Sequence, residues 1–119
     1  MTRTQTASER ITEEVTSWPG VTAGPGRRGE FAFKVGHREI GHLHGDHAAH
    51  FFFPKQTWAE LSEQSRITHH PVFPEKEGPA SRAIESDADV EDVIALMRLN
   101  YDAAVKRYGV PAQSQPDAA

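Results

Sequence analysis

The chain contains no cysteine, which removes disulfides, thiolate metal sites and cysteine nucleophiles together. Long apolar runs are missing as well. Nothing approaches the roughly 20 consecutive apolar residues of a membrane-spanning helix, and the opening MTRTQTASER lacks the apolar stretch of a secretion signal. A cytoplasmic location is the expectation. Concentrated positive charge is equally scarce. The densest basic stretches are the pairs Arg27-Arg28 and Lys106-Arg107, on a chain of formal charge −4, so no nucleic-acid partner is expected. Motifs of phosphate binding and serine catalysis are also absent. Gly24, Gly26 and Gly29 lack both the spacing and the following helix of a phosphate loop, and the serines are scattered without a Gly-x-Ser-x-Gly elbow.

Histidine, by contrast, is abundant, with seven residues in 119. Protonating all of them would carry the charge from −4 to +3, with the crossing near the ordinary imidazole pKa of ~6.5. Solubility is therefore expected to be poorest in mildly acidic buffer. The length fits one domain of typical size, about 100–150 residues. We expect it to span 6–110, with polar, proline-containing and frayed termini at 1–5 and 111–119.

Periodicity predicts a helix from Thr6 to Ser17, capped by Ser8 or Thr6, with Ile11, Val15 and Trp18 on one stripe and Pro19-Gly20 as its stop. A short strand over Val21 to Ala23 precedes the turn-rich Gly24-Pro25-Gly26. Glu30 to Val35 alternates as a half-buried strand does, with Phe31, Phe33 and Val35 on one side. Gly36-His37 reads as a two-residue hairpin turn, followed by a strand from Arg38 to His44. A further strand from His50 to Phe53 follows the turn Gly45-Asp46-His47.

A helix then runs from Pro54 or Lys55 to Gln64 with Trp58 and Leu61 inward. Ile67 to Phe73 is extended, and Pro71 and Pro74 mark it as an edge strand; Ser81 to Glu85 is the last strand. The final helix has Ser86 and Asp89 in a capping-box arrangement. Val90, Val93, Ile94, Met97, Tyr101, Ala104, Val105 and Tyr108 form its stripe, and Gly109 and Pro111 close it. The acids Asp87, Asp89, Glu91 and Asp92 read as a solvated first turn. The expected architecture is α+β, a single antiparallel β-sheet packed against N- and C-terminal helices.

Hairpin geometry assigns the histidines to faces. A regular two-residue turn sets Phe33 opposite Ile40 and Phe31 opposite His42, so His42 and His44 are expected on the core side. Burying Phe51 and Phe53 favours an even-length second loop, which turns His50 to the other face; a three-residue loop would instead set His50 opposite His42. Strict alternation also puts Glu39 on the face away from His42, against an acid–base pair. His42 and His44 lie about 6–7 Å apart along one strand, a spacing two imidazoles can use to share a divalent metal, with His69, His70, Asp46 or Glu39 as a third ligand. The plainer reading makes His42 and His44 sheet residues bonded to backbone, His69-His70 an edge pair, and His37 and His47 turn residues. It makes Tyr101 and Tyr108 core residues with hydroxyls at the rim. Gly36 and His42-x-His44 also match the opening of the cupin pattern, but Ala48 and Ala49 stand where its glutamate belongs, and the helices fit a cupin barrel poorly.

The chain resembles a small domain family of unknown function called the luciferase domain. The resemblance is carried by Trp18-Pro19-Gly20-Val21-Thr22, Gly29-Glu30-Phe31, Arg38-Glu39-Ile40-Gly41-His42-Leu43-His44-Gly45, Phe53-Pro54, His69-His70 and Pro74. It continues with Asp89-Val90-Glu91 and Leu96-Met97-Arg98-Leu99-Asn100-Tyr101, and so covers nearly the whole chain. Two departures stand out: His50 where the resemblance leads one to expect aspartate, and Gly78-Pro79 where it leads one to expect Gly-Trp. It implies no reaction, cofactor or light emission, and by matching motif it singles out His42, His44 and one of His69 or His70.

Three readings compete. The first is a domain binding a small-molecule ligand in a pocket lined by His42, His44, His69 and His70. The second is an enzyme using His42 or His44 as acid–base or metal ligands, distinguished by a carboxylate on one ring and an open cavity beyond it. The third is a homodimeric interaction module. No metal or cofactor is assigned from the sequence.

Overall fold

Capping chemistry sets the first helix. The Thr6 hydroxyl accepts the Glu9 N–H at 3.1 Å and the Glu9 carboxylate accepts the Thr6 N–H at 2.9 Å, a reciprocal capping box that starts α1 (Ala7–Thr16). Ile11, Val15 and Trp18 are buried, as their spacing requires. The structure, a computed structural model, describes residues 5–73 and 75–111. The expected frayed ends fall largely at 1–4 and 112–119, outside the described residues, as does Pro74 of the expected edge segment.

Six strands follow the first helix and form one antiparallel sheet in the order β1-β2-β3-β4-β6-β5. They are β1 (Val21–Pro25), β2 (Phe31–Val35), β3 (Arg38–His44), β4 (Ala48–Phe52), β5 (Thr68–His69) and β6 (Pro79–Ala83). Between β4 and β5 lies α2 (Lys55–Glu63), and α3 (Asp87–Tyr108) closes the chain. The fold is α+β, as expected. β5 is only two residues long, and it lies at the sheet edge, where the prolines pointed.

Helices α1 and α3 pack against each other and against the sheet. The core between them joins Phe33, Val35, Ile40, Leu43, Phe51 and Phe53 of the sheet segments to Ile11, Val15, Val93, Leu96 and Met97 of the helices. Tyr101 is core with a hydroxyl donating to the Pro19 carbonyl at 2.7 Å. Tyr108 departs from the expected stripe. It is 54 % exposed, with the Arg38 guanidinium 3.8 Å above its ring. The acidic start of α3 also departs in part from a solvated turn. Arg82 donates to Asp89 at 2.6 Å and to Asp92 at 2.7 Å, and Arg66 donates to Asp92 at 2.6 Å. Asp89 also accepts the Glu85 N–H, and this bond with that of Arg82 holds its pKa below the usual carboxylate value.

The largest departure from regular alternation is in β3. Val35 pairs with Arg38 and Lys34 with Glu39, as the Gly36-His37 turn dictates, but Phe33 pairs with Gly41 rather than Ile40. Ile40 is therefore an extra residue, a β-bulge that reverses the facing of every later side chain in the strand. Two features hold it. Asn100 of α3 donates to the Ile40 carbonyl at 3.2 Å and to the Phe52 carbonyl at 3.1 Å. Gly41 lets α3 approach: a Cβ there would meet Met97 Sδ at 2.7 Å and Phe51 Cδ1 at 2.9 Å. Gly41→Ala should consequently destabilise the fold by about 1–3 kcal/mol, the usual range for overpacking a filled core. Urea unfolding followed by far-UV circular dichroism measures this, and an unchanged midpoint would mean that the approach of α3 is not tight.

Candidate functional site

The bulge carries His42 and His44 away from the core. Ile40 and Leu43 are buried on the helix side, while His42 pairs across to Ala32 on one side and to His50 on the other. The core-side placement expected for the two histidines is corrected, because it assumed an unbroken strand. The second turn is corrected too. His44 pairs with Ala48, so Gly45-Asp46-His47 is a three-residue loop, tied down by the Ser8 N–H donating to Asp46 at 2.9 Å. Phe51 and Phe53 are buried as expected. The even loop was not needed for this, since His42 itself faces outward.

His50 therefore joins the site from which alternation had excluded it. Ring centroids of His42 and His44 are 5.0 Å apart, His42 and His50 5.3 Å, and His44 and His50 4.4 Å. His70 closes the group, 4.2 Å from His50. His69, singled out with it in the sequence, is not brought in; its ring lies 4.7 Å from that of Trp58.

Hydrogen bonding determines which nitrogen each ring offers. Glu39, placed on the same face as His42 by the bulge, lies with Oε2 2.7 Å from His42 Nδ1. A carboxylate there accepts the Nδ1 proton and leaves the Nε2 lone pair available. The expectation that Glu39 faces away is thereby corrected. His70 is held in the opposite sense. Its Nδ1 accepts the Val72 N–H at 3.0 Å, so its proton sits on Nε2. His50 is 8 % exposed and its Nδ1 has no hydrogen-bond partner among the described residues. Burial, with the neighbouring His70, His44 and His42, pushes its pKa down to about 4; burial also lowers that of His70. Both rings are neutral near pH 7. One nitrogen from each of His42, His44 and His50 lies within 4.8 Å of the others, so these three are the residues that could hold a metal.

The cluster forms part of a pocket of about 1000 Å³ on the outer face. No residue of the three helices lines it. One wall carries Arg27, Arg28 and Lys34, and another Val72 and Phe73. Glu30 also faces the histidines, and its pKa is drawn down first by its own backbone N–H and then by the Arg28 backbone N–H, which its carboxylate accepts at 3.0 Å.

Sequence reasoning weighed His50 and Glu39 but placed both on the face away from His42, and it did not bring the basic wall to the site. For the first two a signal was present: a lone glycine inside a strand pattern, Gly41, marks a bulge or a close backbone approach. For the basic wall the sequence offered only the Arg27-Arg28 pair, and its place beside the histidines is set by the folded β1–β2 hairpin.

Comparison with known proteins gives a match to one family model, described as Luciferase domain, over residues 37–100. That interval is more than half of the chain and holds the four clustered histidines, Glu39 and Asn100. No curated protein and no solved structure matches.

An unpartnered buried ring nitrogen costs about 1–3 kcal/mol. His50→Leu is accordingly expected to unfold at the same or a higher urea concentration than the wild type in the presence of chelator. A clear loss of stability would identify His50 as a structural group instead.

Proposed function

The chain belongs to the luciferase-domain family, and on that premise we propose that it is a small-molecule-binding domain whose ligand carries an anionic group and sits against the histidine cluster. Family membership supplies no reaction, so the reading rests on the site. The observation that carries it is the meeting of four imidazoles with Arg27, Arg28 and Lys34 around one cavity of about 1000 Å³, at the upper end of the ~300–1,000 Å³ found for small-ligand pockets. None of the three cations is in an ion pair among the described residues. The two carboxylates of the lining, Glu39 on His42 and Glu30 on the Arg28 N–H, keep their charges, and three cations against two carboxylates leave one formal positive charge. Positive charge is thus left over for a ligand, and Val72 and Phe73 supply apolar contact opposite.

Calorimetric titration of untagged, metal-free protein with inorganic phosphate, citrate and naphthyl phosphate tests this. Naphthyl phosphate should bind best, having both an anionic and an apolar part. Arg27→Ser/Arg28→Ser should weaken it about tenfold, in keeping with exposed charge contacts of up to about 1 kcal/mol each. No binding at millimolar concentration, or binding indifferent to the double substitution, would rule the reading out.

A second reading, an enzyme with His42 as general base, is favoured by the Glu39–His42 contact of 2.7 Å with the pocket beyond the ring. A base oriented by a carboxylate accelerates proton transfer by about 10²–10⁴-fold. It requires metal-free protein to hydrolyse nitrophenyl esters, with turnover lost in His42→Asn and reduced in Glu39→Gln. Equal rates in wild type and His42→Asn would dismiss it.

A further inference from the structure

We propose that His42, His44 and His50 form a three-histidine site for a divalent transition metal of the zinc type, with its fourth position open to the pocket. The proposal rests on the pocket reading only for what fills that fourth position.

Backbone pairing does most of the positioning. His42 and His50 are direct cross-strand partners on β3 and β4, and His44 stands two residues along β3 on the same face. Their donor nitrogens lie within 4.8 Å of one another. Tetrahedral bonds of 2.0–2.1 Å require nitrogens about 3.4 Å apart. Small side-chain rotations close that gap, since the strand spacing is already set.

The donors are suited to the ion. Three imidazole nitrogens favour zinc, copper, nickel or cobalt over magnesium and calcium, which take oxygen. A ligating histidine commonly donates its other ring proton to a carboxylate, which orients the ring and raises its basicity. The Glu39–His42 contact has that form. His50 contributes an independent observation. The residue is more than nine-tenths buried, and its Nδ1 is unpartnered among the described residues. Buried polar atoms in that condition are rare, and a bound ion is one partner that satisfies them.

His70 is assigned a different part. Because its Nδ1 lone pair is used by the Val72 N–H, it has no second lone pair to give a metal. It offers instead an Nε2–H donor beside the cluster, suited to an oxygen of a water or anion in the fourth position. Three protein ligands with one open position is the arrangement of reactive rather than purely structural zinc sites.

The test is metal content of untagged protein after dialysis against zinc, and visible absorption after loading with cobalt. About one metal per chain is expected, with the intense visible bands of four-coordinate cobalt. His44→Asn, at an exposed ring whose loss leaves the fold intact by circular dichroism, should abolish stoichiometric binding. Glu39→Gln should weaken it about 10–100-fold, the usual cost of losing a group that orients a ligand. His70→Phe should keep one metal per chain and alter the cobalt spectrum in the presence of phosphate. Failure to bind zinc, cobalt or nickel, or unchanged binding in His44→Asn, overturns the proposal. Loss of metal in His70→Phe equal to that in His44→Asn overturns the three-ligand assignment. Metal binding without any anion binding would retain the metal centre and end the pocket reading; anion binding by a chain that takes no metal would do the reverse.

Discussion

Ile40 has no cross-strand partner in β2, and its carbonyl is met instead by Asn100 from α3. That substitution of a side-chain amide for a ladder bond governs both faces of the sheet. Ile40 and Leu43 are three positions apart and both buried, which a strand of strict period two cannot achieve. The extra residue resolves the conflict. It lets β3 give Ile40 and Leu43 to the core while Glu39, His42 and His44 share the outer face. One turn of α3 supports it from beneath. Met97 fills the space left by Gly41, Asn100 bridges the carbonyls of Ile40 and Phe52, and Tyr101 packs beside them with its hydroxyl on Pro19. The histidine cluster is thus positioned by a helix that contributes nothing to the pocket itself.

The helices, the strand order up to β4 and the burial of Phe51 and Phe53 were legible in the sequence because each rests on local periodicity and caps. The caps at Thr6 and Ser86 and the stripe from Val90 to Tyr101 act within a few residues of chain. The faces of the histidines were not legible by the same method. Facing depends on parity, and parity accumulates every irregularity between a turn and the residue of interest. One overlooked residue at Ile40 moved His42 and His44 to the wrong side and so separated them from Glu39, whose own facing was right. The three-residue loop then made the inference about His50 wrong although the reasoning about phenylalanine burial was sound. Gly41 was the available warning. Its meaning depends on Met97 and Asn100, far along the chain in α3, and no local pattern carries that information.

The outer face runs against the physics that stabilises the rest of the chain. On the helix side, apolar surface is removed from water and buried polar groups find partners, as Trp58 does by donating to the Pro79 carbonyl at 3.0 Å. On the outer side, His50 is buried with an unpartnered nitrogen and pressed against three other imidazoles. Such local conflict is tolerated where something else over-determines the arrangement. Here the two neighbouring strands fix the backbone under the cluster, and Arg82 of β6 is clamped between Asp89 and Asp92 of α3. The strands that carry His42, His44 and His50 are paired on both sides, which suits a site whose donor atoms must keep their spacing.

Charge connects the proposed metal to the proposed ligand. The chain as a whole is negative, and the clustered His50 and His70, being neutral, add no positive charge to the pocket near neutral pH. An anion in the metal-free pocket would meet Arg27, Arg28 and Lys34, solvated side chains whose contacts are each worth up to about 1 kcal/mol. That suffices for weak association and gives little discrimination. A divalent ion on His42, His44 and His50 would place two charges beside the buried His50, where water screens less than at the exposed basic wall. Arg27 and Arg28 would then steer the ligand inward, and His70 Nε2–H would orient it. The two proposals are physically distinct, since three imidazoles can take a metal without any anion and the basic wall can hold an anion without any metal. Together they account for each unusual feature of the outer face. The bulge brings Glu39 beneath His42, the odd loop brings His50 opposite it, and the buried nitrogen has a partner to meet.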